Sequence, residues 1–257
     1  MNPRTPPTLM PRTVPFGPIL KRGFYDRPTA DVARDLLGKI LVHGSTAGII
    51  VETEAYLGGS DLAAHSARGI TERTRVIFGP PGHAYVYFVY GMHECLNLVA
   101  EADGEPGCVL IRALEPVAGV GAMRRRRPAA RRVEDLASGP GKLTAAMGIT
   151  RALNGADVTR GDLVVRRPVE ERGFDIDVTP RVGIRQCADW PLRFAVRGNR
   201  FVSGGGACDM KSCQAKAPRK TRRPRPSRKR ACDMKSCQAK APGPQDGKPV
   251  AWTEDVS

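Results

Sequence analysis

Long apolar runs are missing from this chain of 257 residues, and no stretch approaches the roughly 18 residues that a membrane-spanning helix needs. No apolar leader segment follows the N-terminus, so a secretory route is not expected and all seven cysteines are read as reduced, intracellular thiols. Acidic residues are outnumbered, 26 Asp and Glu against 41 Lys and Arg, which leaves a net charge of +15. That imbalance points to a polyanionic partner, and nucleic acid or an anionic membrane surface would both serve. Aromatic residues make up only 5% of the chain, yet three of its five tyrosines, Tyr85, Tyr87 and Tyr90, fall within six positions.

The hydrophobic fraction of 41% is a little low for a globular domain and fits unstructured ends on an ordered middle. Residues 1–20 are rich in proline without periodicity and are expected to be disordered. From residue 205 onward the composition changes again. Ala207–Pro218 recurs without change at Ala231–Pro242, with a block of Arg and Lys between the copies. Residues 207–257 carry 13 Lys and Arg against 5 Asp and Glu, about half the excess charge of the chain. Two copies are too few for a solenoid, and the composition cannot build a core. The Cys-x4-Cys pair in each copy could bind zinc only through thiolates, since no histidine lies nearby. A flexible polybasic tail that binds DNA without sequence preference is the simpler reading. Residues 21–204 are left as one domain.

Within that domain the pattern predicts a helix over 29–38, capped by Thr29 and ended by Gly38. Strands are expected at 40–42 and 47–56, then a long loop at 58–82, then strands at 84–90, 95–100 and 108–113. Helices are predicted over 116–127, 133–137 and 142–147, the last after the Ser138-Gly139-Pro140 start signal. Strands return at 163–165, 182–184 and 192–196. The order is α+β, a mostly antiparallel sheet flanked by helices, with no alternating βαβ units.

The chemistry concentrates on two predicted strands. In 47–56 the twofold repeat puts Glu52, Glu54 and Tyr56 on one face, with Val51 and Ala55 on the other. Gly91 offers a tight turn directly after Tyr90, which would hold that ring at a hairpin tip. Carboxylates activate water, aromatic faces hold a flat heterocycle, and positive charge holds phosphate. Such a set suits an enzyme that takes a base out of DNA and cuts it from its sugar. Spacing alone does not choose between Glu52 and Glu54.

These residues resemble the alkyladenine (3-methyladenine) DNA glycosylase family. The matching strings are Val51–Gly58 (VETEAYLG), Ala63-Ala64-His65-Ser66, Tyr85-Val86-Tyr87 with Tyr90-Gly91-Met92, Cys95-Leu96-Asn97 and Val109–Pro116. Ser138-Gly139-Pro140, Pro180–Ile184 and Pro191–Phe194 extend the likeness over roughly residues 22–204. The resemblance implies a monofunctional glycosylase without cofactor or metal, acting as a monomer on double-stranded DNA that holds a damaged purine. It implies Glu54 as the general base, with Arg112 and the Val182 carbonyl as further ligands of the attacking water. Tyr56, His65 and Tyr87 match the walls of a base pocket, where stacking favours electron-poor rings. Asn97 matches a residue that would clash with the exocyclic amine of guanine. Tyr90 matches the wedge that fills the gap left by a flipped nucleotide, carried on a protruding hairpin. Arg73, Arg75 and Lys142 are candidate phosphate contacts. Two other readings stay open: a catalytically silent nucleic-acid-binding protein of the same fold, and a lyase acting through Lys142.

Overall fold

The computed structural model describes residues 16–89, 93–171 and 173–204. Among them are nine β-strands in one antiparallel sheet and three short α-helices, an α+β arrangement as expected. In chain order these are β1 (Phe16–Ile19), α1 (Thr29–Asp35), β2 (Ile40–His43), β3 (Thr46–Leu57), β4 (Ala84–Val89) and β5 (His93–Val99). They are followed by β6 (Gly107–Ala118), α2 (Val120–Arg126), α3 (Pro140–Met147), β7 (Leu163–Pro168), β8 (Ile176–Thr179) and β9 (Arg193–Val196).

The sheet runs β1-β7-β2-β3-β6-β5-β4 and forks at β3. Along one side β3 pairs with β6 from end to end. On its other side it pairs first with β2, through Thr46–Ile49, and then with β9, through Glu52–Glu54. Both flanks of Glu52 and Glu54 are therefore hydrogen-bonded strand, which gives their side chains fixed directions. The helices cover one face. There Leu36, Ile50, Ala55, Val109, Ile111, Leu114, Leu143 and Phe194 belong to one buried core. Thr53 is tied to this side by its hydroxyl, which donates to the Ala33 carbonyl of α1 at 2.8 Å.

The opposite face carries the polar residues, and a bulge decides which ones. The β3–β6 register slips on either side of Glu52. Ile50 and Ala55 lie in the main core, whereas Val51 packs with Ala113 and Phe201 in a separate cluster. Val51 and Glu52 thus both turn away from the helices, as two successive residues of a bulged strand can. Strict alternation, which put Val51 with Ala55, is corrected at this point.

The β4–β5 hairpin separates from the sheet toward its tip. β5 pairs with β6 only through Asn97–Val99, and beyond that only with β4, up to Val89 opposite His93. Instead of another strand, α3 fills in: the Thr144 hydroxyl donates to the Glu94 carbonyl at 2.9 Å. The contact is close, since a Cβ on Gly141 would stand 2.9 Å from the His93 side chain. Residues 90–92 at the tip, and with them the proposed wedge Tyr90, lie outside the described residues.

Several local expectations change. Phe16–Ile19, assigned by its prolines to a disordered end, is an edge strand on β7. An edge tolerates Pro18 because only one side of the strand must donate, and the Arg166 guanidinium holds the Gly17 carbonyl at 3.1 Å. The helix expected from Pro116 begins only at Val120, since β6 stays paired with β3 as far as Ala118. Residues 133–137 form turns, because Arg127 donates to the carbonyls of Asp135 and Leu136 and the chain bridges from Ser138 to Ala113. At 182–184 there is no strand. Gly183 takes a φ of +78°, and the strand that pairs with β9 is β8 instead.

No helix among the described residues is long and apolar enough to cross a membrane. Residues 1–15, the duplicated segments and the cysteines at 208, 213, 232 and 237 lie outside the described residues.

Candidate active site

Three charged side chains are buried side by side on the helix-free face of β3 and β6. Glu52 and Glu54 have no exposed surface, and Arg112 reaches both. Its Nε donates to Glu52 Oε1 at 2.9 Å, while Nη1 lies 3.2 Å from Glu54 Oε1. Burial works against the Arg112 charge, but Glu54 and Glu52 outweigh it and raise its pKa.

The two glutamates differ in how fully they are occupied. Glu52 Oε1 accepts from Arg112, from Arg193 Nε at 2.7 Å and from the Ser203 hydroxyl at 2.9 Å, while Oε2 accepts the Ser203 amide at 2.7 Å. Burial alone would raise its pKa, but Arg112, the Ser203 hydroxyl and Arg193 together hold the carboxyl below the usual range. Such a group is a structural anion. Glu54 Oε1 accepts the Val182 amide at 2.8 Å, and Oε2 accepts the Tyr56 hydroxyl at 3.0 Å. A carboxylate oxygen has room for a second donor, so Oε2 can take a water beside the tyrosine.

Val182 is thus brought to the site, through its amide to Glu54, with its side chain half exposed. Its position depends on the residue before it. Arg181 is buried and donates to both oxygens of Asp61, at 2.5 and 2.8 Å, and to the Ala55 carbonyl at 2.9 Å. Asp61 in turn accepts the amides of Leu57 and Ala63, which shapes the exit from β3 into the loop. The Arg181 guanidinium also lies over the Tyr56 ring, 4.7 Å from its centroid.

Tyr56 joins the carboxylate to an aromatic cluster, since its ring packs with the group formed by Ile77, Tyr85, Val99, Cys108 and Tyr87. β4 supplies Tyr85 and Tyr87 on one face by alternation. The loop after β3 returns His65, whose ring meets Tyr87 edge-on at 4.6 Å and Tyr85 at 6.0 Å. Tyr85 and Tyr87 are 5.4 Å apart and tilted by 31°. His65 Nδ1 lies 3.0 Å from the Tyr85 hydroxyl oxygen, which also accepts Arg73 Nε at 3.2 Å. With that oxygen already accepting from Arg73, the Tyr85 proton goes to Nδ1, and the network assigns the imidazole proton to Nε2. Burial, with Arg73 and Arg68 nearby, pulls the His65 pKa down to about 4. The ring is neutral at physiological pH. Burial raises the pKa of Tyr56 and Tyr87, so both stay as phenols.

Asn97 is buried across from Tyr85 in the β4–β5 register. Its amide donates to the Tyr85 carbonyl at 3.2 Å, and the Cys108 thiol lies 3.9 Å from its Oδ1. Burial pushes that thiol up to about 12, so it is protonated. A cleft of about 630 Å³ runs beside β4, lined by Arg73, Tyr85, Tyr87, Phe88, Arg151 and Asn154 among others.

Of the sequence-predicted residues, Glu54, Arg112, Val182 and Tyr56 meet in one hydrogen-bonded group, and His65, Tyr87 and Asn97 gather around Tyr85. Arg73 belongs with the second group, its guanidinium 5.2 Å above the Tyr87 ring. Arg75 is exposed on the 3-10 turn Arg75–Phe78, and Lys142 is exposed on the first turn of α3, next to Gly141, which packs on His93 near the hairpin tip. Asp61, Arg181, Arg193, Ser203 and Tyr85 were not singled out from the sequence. Tyr85 had a signal, the same alternation that marked Tyr87. The others act across 120 residues or more and carry none locally.

Comparison with known proteins matches this chain to a family. Residues 23–200 match Methylpurine-DNA glycosylase (MPG). A protein of Methanocella arvoryzae is 52% identical over 200 residues, covering 76% of this chain and 96% of the relative. One of Methanoculleus marisnigri is 54% identical over 190 residues, covering 72% and 98%, and one of Burkholderia lata is 49% identical over 191 residues, covering 73% and 92%. Each bears the name "Putative 3-methyladenine DNA glycosylase". With the match running through β3, the β4–β5 hairpin and the Val182 loop, this chain belongs to the methylpurine-DNA glycosylase family.

Proposed function

We propose that this member of a DNA glycosylase family is a monofunctional enzyme of base excision repair. It swings an alkylated or deaminated purine, of the 3-methyladenine or hypoxanthine type, out of duplex DNA and hydrolyses its N-glycosidic bond. The observation that carries the reading is the hydrogen bond from Tyr56 to Glu54, which puts a buried carboxylate directly behind a ring of a tyrosine-lined cluster. A flipped base stacked on Tyr56, between it and His65 and Tyr87, brings its sugar toward Glu54. Glu54 removes a proton from water as positive charge grows on the deoxyribose, and oxygen attacks C1′ as the bond to the base breaks. Arg112 and the Val182 loop hold the carboxylate and its water in place. Asn97, pinned by Tyr85, excludes the extra amine of guanine.

The remaining roles belong to the same proposal. Tyr90 at the hairpin tip fills the gap in the duplex, and Arg75 and Lys142 hold flanking phosphates. The enzyme works as a monomer inside the cell, on residues 21–204 together with the strand that opens at Phe16. The basic segment at 205–257 adds nonspecific DNA affinity. Its deletion should flatten the salt dependence of DNA binding while leaving excision at saturating enzyme unchanged, and an unaltered salt slope would remove the segment from the scheme.

The test of the reading is a single-turnover assay with excess enzyme on duplexes holding one hypoxanthine or one N3-methylated adenine. Release of the free base, leaving an abasic site and no strand break, is the expected result. No release from either duplex would sink the proposal.

A further inference from the structure

Both tyrosine walls of the proposed pocket already carry a guanidinium. Arg181 lies over Tyr56 at 4.7 Å and is fixed there by its buried pair with Asp61. Arg73 lies over Tyr87 at 5.2 Å, and its Nε donates to the Tyr85 hydroxyl at 3.2 Å. An aromatic face attracts one cation through its quadrupole, and a second cation brought to the same ring meets both a weakened field and the charge of the first. Asp61 and Arg181 neutralise one another. Arg73 has no carboxylate within ion-pair distance among the described residues, and Arg68 adds to the positive side of His65. The ring of His65, flanked by these two arginines, supplies no compensating charge.

We propose that Arg73 is a specificity-determining residue, whose guanidinium over Tyr87 disfavours cationic alkylated purines and leaves the pocket tuned to uncharged, deaminated ones. This rests on the glycosylase reading above and concerns which bases that site accepts. A neutral heterocycle stacks on Tyr56 and edges against Tyr87 with Arg73 in place. A base bearing the full positive charge of N7 or N3 alkylation must either displace Arg73 from Tyr87 or bind beside it. Either route weakens the discrimination that bare tyrosines would give in favour of a cation. Arg73 is on the surface loop between the two 3-10 turns His65–Arg68 and Arg75–Phe78, outside the buried core, so its charge can be removed without opening a cavity.

The experiment compares single-turnover rate constants at saturating enzyme and one ionic strength for two matched duplexes, one holding hypoxanthine and one holding an N3-methylated adenine. Wild type, Arg73→Met and Arg73→Gln are run side by side. Met keeps the length without charge or hydrogen bond, and Gln keeps a donor for the Tyr85 hydroxyl. Both substitutions should raise the ratio of cationic to neutral excision by about tenfold, the scale of one partly desolvated cation–π contact. A ratio that stays at the wild-type value in both variants, or falls, overturns the assignment. A rise in Arg73→Met alone would trace the effect to the lost hydrogen bond and would also overturn it. If wild type released neither base, the glycosylase reading itself would fail, an outcome plainly different from an unchanged ratio.

Discussion

Glu54→Gln should lower single-turnover base release by roughly 10²–10⁴-fold, the usual contribution of a positioned general base. Gln keeps the volume, and its one carbonyl oxygen can still accept the Val182 amide while its amide nitrogen donates to the Tyr56 hydroxyl oxygen, at the two positions where Glu54 now accepts. What it loses is the capacity to take a proton from water. Binding to damaged duplex should therefore be retained, since the aromatic walls and the basic surface are untouched. A binding titration beside the rate measurement separates the two. Parallel loss of affinity and rate would mean that Glu54 is structural, and the general-base role would have to be abandoned.

Glu52→Ala should do the reverse, with stability as its primary casualty. The substitution leaves Arg112 and Arg193 buried or nearly so without their shared carboxylate, and frees the amide and hydroxyl of Ser203. Removing one partner of a buried ion pair costs about 3–5 kcal/mol, so the unfolding midpoint should drop on the order of 10 °C for a domain of this size. Acid sensitivity should change with it. The Glu52 pKa is depressed in the folded state, so its stabilisation is complete above the unfolded carboxyl range near about 4.3 and is lost as pH falls through the folded value. Wild type should lose stability on acidification more steeply than the alanine variant, as denaturant titrations from pH 6 to pH 3 would record. Equal slopes would show that the Glu52 cluster contributes little.

The opposite fates expected for two glutamates two positions apart show what a sequence can and cannot convey here. Strand periodicity already placed Glu52, Glu54 and Tyr56 on one face, and the aromatic alternation of 85–87 announced the second wall. Those are local signals, repeated every second residue. The choice between the glutamates is not local. It depends on Arg193 and Ser203, which arrive 141 and 151 residues later and take up the oxygens of Glu52. The bulge at Val51 and Glu52 is equally invisible, because a slip of register depends on the partner strand β6. Proline-rich Phe16–Ile19 misled in the other direction. Composition marked it as disordered, but an edge position beside β7 asks for donors on one side only. The Arg181–Asp61 pair, which sets the Val182 amide against Glu54, joins two loops that carry no periodicity at all.

A crystal structure of Glu54→Gln bound to duplex DNA with a single hypoxanthine would examine the proposed chemistry at atomic distance. The expected picture has the purine rotated out of the helix and stacked on Tyr56, with His65 and Tyr87 around it. The side chain at position 54 should lie within one water of the C1′ carbon, on the face opposite the base. A purine left stacked in the duplex, or a deoxyribose separated from position 54 by packed side chains, would contradict the mechanism.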